Sequence, residues 1–425
     1  MMRLLMTTDA VGGVWQYSLE LAAALQAEVT LAVLGPAPDA GQRAAAAAAG
    51  LRLVETNLPL DWLSDGPAPV LAAGEAVARL ARETGADVVH LNAPALAAAR
   101  FDRPVVAVNH GCLGTWWDAA RGGPVDPALA WLPELVGRGL RAADRVVAPT
   151  RAYAEATARR YGLPVTPTAV HNGRTPLPLP EAQPFHGALT VGRLWDEVKD
   201  TATLDATAAL LDAPLVAIGA TRAPHGATVT PAHLQATSPL PADGIARWLS
   251  RRPVFVSAAR FEPFGLAVLE AAQAGCPLVL SDIPTFRELW DGAATFVTPG
   301  DAPGFAGAIA ALLADPVRHA AQGDAARSRG ARHTPAAMAA QMSGIYRDLV
   351  SAKDKAAGRS SISPIRCKAA GTTATPISCA ACCGNWWRLA TTSARWNRRA
   401  HGASTTCCAT TARRGWSPSA GTIPS

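Results

Sequence analysis

The sequence predicts an α/β protein with two parallel-sheet domains, followed by a C-terminal tail of different character. Short apolar runs of strand length alternate with amphipathic helical stretches, which is typical of parallel sheets covered by helices on both faces. A proline-rich segment separates a first series of this kind from a second one. A chain of 425 residues is also too long for one ordinary domain.

The charge of the chain is distributed unevenly. Residues 351–425 carry 11 Lys and Arg against one Asp, whereas the whole chain has a net charge of +6. Residues 1–350 therefore hold 28 basic and 32 acidic side chains, and this mild acidity gives a general nucleic-acid role little support. We expect no nucleic-acid partner.

The body of the chain has the composition of a cytoplasmic protein. Its two cysteines, Cys112 and Cys276, are isolated, as in proteins of a reducing compartment. The segment Met1–Asp9 lacks a secretory apolar region, and no apolar run is long enough to span a bilayer. We expect a cytoplasmic location, with peripheral membrane contact left open.

The first domain, residues 1–175, begins with a buried strand over Leu4–Thr8, a glycine-containing loop and a helix. Gly12 and Gly13 in this loop would let backbone N–H groups approach a phosphate or a sugar, although a simple tight turn is an equal alternative. The spacing G-x-G-x-x-G is absent, and no acid ends the second strand, Val29–Leu34. Both absences argue against a nicotinamide-dependent oxidoreductase.

The remaining elements of this domain continue the alternation. Further strands are predicted over Leu51–Val54, Asp87–Leu91, Pro104–Asn109, Arg145–Pro149 and Thr168–His171. Helices are predicted over Val14–Leu25, Pro69–Thr84, Pro127–Ala142 and Arg151–Tyr161. Ligands of such sheets bind beyond the carboxyl ends of the strands.

Two histidines stand at such strand ends. His90 is interpreted as a structural side chain, and the pair Trp116-Trp117 as core. His110 follows an apolar strand, and as a neutral imidazole it would hydrogen-bond a sugar hydroxyl. From the residues alone, a strand-capping role for His110 stays open.

Four prolines within Arg174–Gly187 predict a linker over residues 176–186, and a second alternating series follows over residues 187–333. Its strands are predicted over Ala188–Val191, Pro214–Ile218, Pro253–Ser257, Pro277–Ser281 and Ala294–Val297. Its helices are predicted over Thr201–Leu211 and Pro303–Ala314. A last helix is predicted over residues 334–350.

The first strand of the second series ends in a loop with two cations. Arg193 follows the strand directly, and Lys199 comes six positions later. A planar guanidinium and a compact ammonium both suit phosphoryl oxygens, so the two side chains are candidates to grip a diphosphate. Each taken singly would be an ordinary surface charge.

Two glutamates, Glu262 and Glu270, stand eight positions apart around a predicted helix start. The backbone N–H groups of Phe264, Gly265 and Leu266 lie between them and favour an anion. Carboxylates bind hydroxyl groups, while a helix N-terminus binds phosphate. The pattern therefore indicates a ligand that is both hydroxyl-rich and phosphorylated, such as a sugar nucleotide.

From about Arg3 to Val350 the chain resembles the retaining glycosyltransferases of family 4 (group 1), which have the GT-B fold. The spacing Glu262-x7-Glu270 is similar to the family's glutamate signature, and Arg193-x5-Lys199 to its pyrophosphate clamp. Asp200 departs from the family, whose members commonly carry Gly or Asn there. The resemblance implies two Rossmann-like domains facing a cleft, with the last helix crossing back onto the first domain.

The resemblance also implies a nucleotide-diphosphate sugar as co-substrate, with no other cofactor and no obligatory metal. Arg193, Lys199 and the helix start at Phe264–Leu266 would neutralise the leaving diphosphate. Glu262 and His110 would contact the transferred sugar, and Glu270 would bind the ribose. Gly12 and Gly13 would line the cleft from the first domain. The acceptor, whether sugar, lipid or small molecule, is not specified.

Two alternatives remain open at this point. A nucleotide-sugar epimerase or hydrolase on the same fold would share the donor clamp, and a non-catalytic protein would bind the sugar nucleotide without turnover. The tail, residues 351–425, is basic and rich in Cys, Trp and Thr, and we expect it to be poorly ordered. Its pairs Cys379-x2-Cys382 and Cys407-Cys408 lack zinc-ribbon spacing, and its composition is typical of an out-of-frame reading of a GC-rich gene. An intact, protein-like reading frame in the coding DNA beyond Val350 would contradict that interpretation.

Overall fold

Two parallel β-sheets with the same strand order organise the fold. The computed structural model describes residues 1–224 and 226–360. Both sheets are flanked by helices, so the predicted α/β class with two Rossmann-like parts is confirmed. The predictions made for the tail beyond residue 360 lie outside the described residues.

The first sheet has seven parallel strands in the order β3-β2-β1-β4-β5-β6-β7. Its strands are β1 (Arg3–Asp9), β2 (Glu28–Leu34), β3 (Arg52–Glu55), β4 (Val88–Leu91), β5 (Val105–Val108), β6 (Arg145–Ala148) and β7 (Thr168–Ala169). β1 pairs with β2 over its whole length and with β4 on its other side. The central strands β1, β4 and β5 are almost entirely buried because helices cover both faces of the sheet.

Within residues 1–175 of the described chain, six α-helices flank the first sheet. They are α1 (Gly13–Ala24), α2 (Ala40–Ala48), α3 (Pro67–Glu83), α4 (Leu113–Ala120), α5 (Trp131–Ala142) and α6 (Arg151–Tyr161). The sequence pattern does not predict α2 and α4. α2 is mostly alanine, which gives no apolar periodicity, and its start is fixed instead by a reciprocal capping box between Asp39 and Gln42.

The second sheet has six parallel strands in the order β10-β9-β8-β11-β12-β13. Its strands are β8 (Ala188–Val191), β9 (Leu215–Ile218), β10 (Gln235–Thr237), β11 (Val254–Ser257), β12 (Leu278–Ser281) and β13 (Ala294–Val297). Its helices are α7 (Thr201–Ala208), α8 (Ala242–Leu249), α9 (Leu266–Ala274), α10 (Pro284–Trp290), α11 (Ala302–Ala314) and α12 (Pro316–Gly330). The pattern does not predict β10, because its three exposed residues offer no apolar run.

The two sheets each have a separate apolar core. Cys276 lies in the core of the second sheet, where burial raises the pKa of its thiol to about 12. A thiol with such a pKa stays protonated near neutral pH, so Cys276 fills space and is not a nucleophile.

The last described helix, α13 (Pro335–Ser360), packs against the first sheet. Its apolar side buries Met338, Met342 and Tyr346 beside Leu4 and Leu21. The helix continues ten residues beyond the predicted end at Val350. Its extension is rich in alanine and lysine, which favour helix without an apolar pattern.

Over residues 1–224 and 226–360, no helix combines the length and the apolar character that crossing a bilayer requires.

Candidate active site

Gly12, Arg193 and Glu262 lie beyond the carboxyl ends of strands where the strand order of each sheet reverses, whereas His110 follows β5 and Glu270 lies inside α9. In the first sheet the reversal falls between β1 and β4, and in the second between β8 and β11. The loop with Gly12 and Gly13 follows β1, and the loop with Arg193 follows β8. Open α/β sheets bind their ligands in the crevice at such reversals.

Lys199 and Glu262 form the centre of this site. The Lys199 Nζ donates to Glu262 Oε2 at 2.5 Å, and the two side chains are only 21% and 19% exposed. Both line a small cavity together with Gly192 and Gly265. A cation and a carboxylate in contact in one cavity offer one group to a phosphate and the other to hydroxyls.

Gly265 shapes the backbone beside this pair. It is the N-cap of α9, with φ +88°, and a Cβ atom there would lie 3.2 Å from Phe286 and 3.3 Å from Glu262. Only glycine adopts this left-handed conformation without strain. The first-turn N–H groups of α9 therefore lie beside the Lys199–Glu262 pair.

Replacing Gly265 by alanine is expected to lower the free energy of unfolding by about 1–3 kcal/mol, because the left-handed backbone is strained with a Cβ. Urea denaturation measures this change. Gly307→Ala is the matched control: Gly307 lies inside α11 with open space around it, so alanine should stabilise by about 0.5–1 kcal/mol. Equal stability of Gly265→Ala and the wild type would contradict a left-handed backbone at Gly265.

The start of α1 in the first domain lies against the start of α9. A Cβ built on Gly13 would lie 3.4 Å from the Leu266 side chain, whereas one on Gly12 would meet nothing within 4 Å. Phe264 is buried at 3% exposure, so its contribution to a ligand is limited to its backbone. The structure thus brings the glycine loop of the first domain opposite the N-terminus of α9.

Arg193 lies at the rim of the site. Its side chain is 62% exposed, and its Nη2 donates to Asp196 Oδ2 at 2.9 Å. Its positive charge also acts on Asp9 at the end of β1, whose carboxyl pKa is raised by burial and held down in part by Arg193. Arg193 therefore faces the first domain and is not among the residues that line the Lys199 cavity.

Asp196 links Arg193 to the first domain. The indole Nε1 of Trp116 on α4 donates to Asp196 Oδ1 at 3.0 Å. An exposed ion pair between Arg121 and Glu197 lies beside it. Trp116 and Trp117 are only partly buried, so the interpretation of the pair as core is wrong: Trp116 reaches across to the second domain.

Asp200 occupies the position where the resemblance expects Gly or Asn. Its backbone is left-handed, with φ +54°, a conformation that Asn and Asp adopt more readily than other side chains. Its carboxylate accepts from Thr203 and so caps α7. The substitution keeps the shape of the loop that carries Lys199.

Glu270 is engaged in a buried Glu–Arg–Glu group. Its Oε1 accepts from Arg174 Nε at 2.8 Å, and Arg174 Nη1 donates to Glu20 Oε1 at 2.5 Å. Arg174 is 8% exposed and joins α1 of the first domain to α9 of the second. The ribose-binding role of Glu270 stays a prediction, since one of its oxygens already binds Arg174.

His110 is held as a neutral imidazole. Burial lowers its pKa to about 3, with a further contribution from His90. Its Nε2 lies 2.8 Å from Asn92 Oδ1, while the Asn92 amide group donates to the backbone oxygen of Thr7. Asn92 Oδ1 is therefore an acceptor and His110 Nε2 a donor. This leaves His110 Nδ1 to accept a hydrogen bond from a hydroxyl group.

His90 completes this network as a structural residue. It is fully buried, with Nε2 at 2.9 Å from Asn92 Oδ1 and Nδ1 at 2.6 Å from the Tyr346 hydroxyl on α13. Asn92 is a site residue that the sequence pattern does not predict. The one signal for it is its position directly after β4, two residues beyond His90.

In the part of the chain that the structure describes, no three His, Cys, Asp or Glu side chains are grouped so that they could hold a metal ion.

Two family models match the chain in succession. The model "Glycosyltransferase Family 4" matches residues 11–175, and "Glycosyl transferases group 1" matches residues 186–315. Among curated proteins, the glycogen synthase of Mycobacterium tuberculosis is 41% identical over 83 residues. That match spans 19% of this chain and only 20% of the length of the relative.

Solved structures share the fold. The sucrose-phosphate synthase of Thermosynechococcus elongatus is similar to this chain with a TM-score of 0.65 and 21% identity, covering 83% of this chain and all of that one. Anabaena Alr3699/HepE in complex with UDP-glucose gives a TM-score of 0.64 at 18% identity, covering 82% of this chain and all of that one. The chain therefore belongs to the family 4, group 1 glycosyltransferases and has their GT-B fold.

Proposed function

We propose that this chain transfers a sugar from a nucleoside-diphosphate donor to an acceptor hydroxyl, with retention of anomeric configuration. The observation that carries the proposal is the Lys199–Glu262 contact in one cavity with Gly265, at the N-terminus of α9 and opposite Gly13. The ammonium and the helix end favour a diphosphate, while the carboxylate favours sugar hydroxyls.

The proposal assigns charge neutralisation to side chains and needs no metal. A helix N-terminus contributes about 0.3–1 kcal/mol toward a nearby anion, and roughly 2 kcal/mol when partly buried. Lys199 and Arg193 must therefore supply most of the stabilisation of the leaving diphosphate. Arg193 uses Nη2 for Asp196, so its other N–H donors remain for phosphoryl oxygens.

The proposed chemistry proceeds on one face of the sugar. A two-step route needs a carboxylate nucleophile beneath the anomeric carbon. Glu262 is paired with Lys199, which favours a binding role for it over attack. We therefore propose that the bond from the anomeric carbon to the diphosphate breaks as the acceptor oxygen bonds on the same face, and that the departing phosphate takes the acceptor proton. His110 Nδ1 accepts a hydrogen bond from a hydroxyl group of the transferred sugar.

The donor to test first is a UDP-sugar. Anabaena Alr3699/HepE, which shares the fold, was solved with UDP and with UDP-glucose. The acceptor stays open between sugar, lipid and small molecule, because the match to glycogen synthase spans a fifth of that protein. The cytoplasmic location, the lack of a nucleic-acid partner and any peripheral membrane contact stay predictions.

Donor binding and turnover test this proposal in sequence. Thermal-shift measurements with UDP-, ADP- and GDP-glucose identify the base, and we expect one of them to stabilise the protein most. Turnover of that donor is then followed with glucose, maltoheptaose or glycolipid extract as acceptor, with and without EDTA. The proposal expects an acceptor-dependent product that keeps the donor's anomeric configuration by proton NMR, and no loss with EDTA.

The same assay separates the alternatives. Free sugar or an epimerised donor in the absence of acceptor would identify a hydrolase or an epimerase. Binding without consumption under every acceptor condition would identify a sugar-nucleotide-binding protein. Either result would contradict transfer.

Trp116→Phe is expected to weaken UDP binding about tenfold. The change removes the indole donor to Asp196 Oδ1, and a hydrogen bond to a charged group contributes about 1.5 kcal/mol or more. Because Asp196 positions Arg193, only the part of the UDP affinity that depends on the diphosphate should be lost. The affinity for uridine should stay unchanged. Isothermal titration measures both ligands.

Trp117→Phe is the matched control for this measurement. The Trp117 indole donates to the backbone oxygen of Pro124 within the first domain, so UDP affinity should stay at the wild-type value. An equal loss of UDP and uridine affinity in Trp116→Phe would show a general disturbance of the cleft instead of a role in positioning Arg193.

A further inference from the structure

A second cavity, of about 230 Å³, lies where the chain crosses between the two domains. The segment after β7, the helix α10, the end of α12 and the start of α13 all contribute to its lining. Its polar side chains include His171, Glu288, Arg329, Arg332 and His333. The proposed transfer reaction uses none of these residues.

The single carboxylate among these five is already satisfied. Glu288 accepts from the backbone N–H groups of Arg151 and Ala152 at 2.8 Å each, at the start of α6, and lies 2.9 Å from His171 Nε2. A helix N-terminus offsets a negative charge placed on it. The Glu288 charge is therefore balanced on the side of α6.

The cations are not balanced in this way. Arg329 donates to the backbone oxygens of Leu289 and Glu288, so its guanidinium is held in place while its charge persists. Arg332 is exposed, and no carboxylate of the described residues lies within ion-pair distance of it. Two positive charges thus border the cavity, and that of Arg329 is held in place.

His333 is a buried side chain of the cavity whose pKa depends on the charges around it. It is 8% exposed, and neither ring nitrogen is hydrogen-bonded to a residue in the described part of the chain. Burial, with smaller contributions from His171, Arg329 and Arg332, lowers its pKa to about 4. Two of these neighbours, Arg329 and Arg332, are permanently charged, which indicates a positive potential in the cavity.

We propose that this cavity binds a phosphate group, supplied either by inorganic phosphate or by a small phosphorylated metabolite. Arg332 and Arg329 present the charge, and His333 presents a buried ring whose nitrogens have no hydrogen-bond partner among the described residues. Guanidinium groups hold phosphate oxygens through charge-assisted hydrogen bonds.

The cavity also borders the donor site. The ring of Phe264 lies 6.4 Å from that of His171 and 5.8 Å from that of His333, between ring centroids. Phe264 directly precedes Gly265, where α9 begins. An occupied cavity should therefore change UDP affinity. This coupling rests on the proposed function, whereas phosphate binding itself does not.

The experiment is an isothermal titration of the full chain with inorganic phosphate at constant ionic strength, with UDP present in excess to fill the donor site. We expect one phosphate per chain, and at least about tenfold weaker binding in Arg332→Glu. Arg332→Lys should keep most of the affinity. Arg318→Glu, an exposed change at the other end of α12, should bind as the wild type does.

Equal phosphate affinity in Arg332→Glu and the wild type would overturn the proposal, and so would the absence of phosphate binding in the wild type. Glucose 6-phosphate and glucose distinguish the sources. Tighter binding of glucose 6-phosphate than of phosphate supports a phosphorylated metabolite, and equal binding supports phosphate itself. Glucose binding as tight as that of glucose 6-phosphate would contradict a phosphate site.

The two proposals fail independently. If UDP does not bind, the titration is repeated with Lys199→Met, which removes the cation of the donor cavity. Phosphate binding that persists there and is lost with Arg332→Glu supports the second cavity even when the donor assignment is wrong.

Discussion

Glu262→Gln is expected to reduce sugar transfer at least about 100-fold, the loss that follows removal of one preorganised polar group from a reaction centre. The amide keeps the size of the side chain but removes the charge beside the transferred sugar. UDP affinity should stay equal or become tighter, because Lys199 loses the carboxylate that it contacts at 2.5 Å. Steady-state turnover and UDP titration measure the two effects separately.

Glu181→Gln is the control for this change, since Glu181 is an exposed residue of the linker. It should leave both turnover and UDP affinity unchanged. Turnover of Glu262→Gln near the wild-type rate would exclude Glu262 from the reaction. A large loss of UDP affinity would instead assign it to holding the nucleotide.

Lys199→Met is expected to weaken UDP binding at least about tenfold and to lower the free energy of unfolding by roughly 1–3 kcal/mol. Breaking a buried ion pair costs about 3–5 kcal/mol, and the partial exposure of both side chains reduces that figure. The double variant Lys199→Met/Glu262→Gln should recover the stability but not the UDP affinity. Urea denaturation and isothermal titration provide the double-mutant cycle.

Lys355→Met, an exposed change on α13, controls for the loss of a lysine and should alter neither quantity. If the effects of the two single changes on the free energy of unfolding add up in the double variant, the two side chains contribute independently. The proposed energetic coupling between Lys199 and Glu262 would then be wrong.

The sequence predicts the centre of the site because that centre depends on strand ends. Lys199 and Glu262 follow β8 and β11, and these two strands are neighbours in the sheet. Parallel strands place their carboxyl ends at one edge, so two loops far apart in the chain meet there. The alternation of apolar runs predicts the two strand ends, and the resemblance to the family implies that the residues beyond them share one site.

The partners of these residues are not predictable in the same way. Arg174 contacts Glu20 and Glu270 across 154 and 96 positions of the chain, and no local pattern announces such a pairing. Trp116 reaches Asp196 from a helix that the periodicity does not predict. Contacts between domains depend on how the two sheets face each other, and strand and helix periods carry no information about that.

A crystal structure with the nucleoside diphosphate that gives the largest thermal shift tests the central claim most directly. The account predicts the diphosphate beside Lys199 Nζ and the first N–H groups of α9, with Gly13 facing it from the first domain. Density for the diphosphate at any other place, with Lys199 still bound to Glu262 alone, would contradict it.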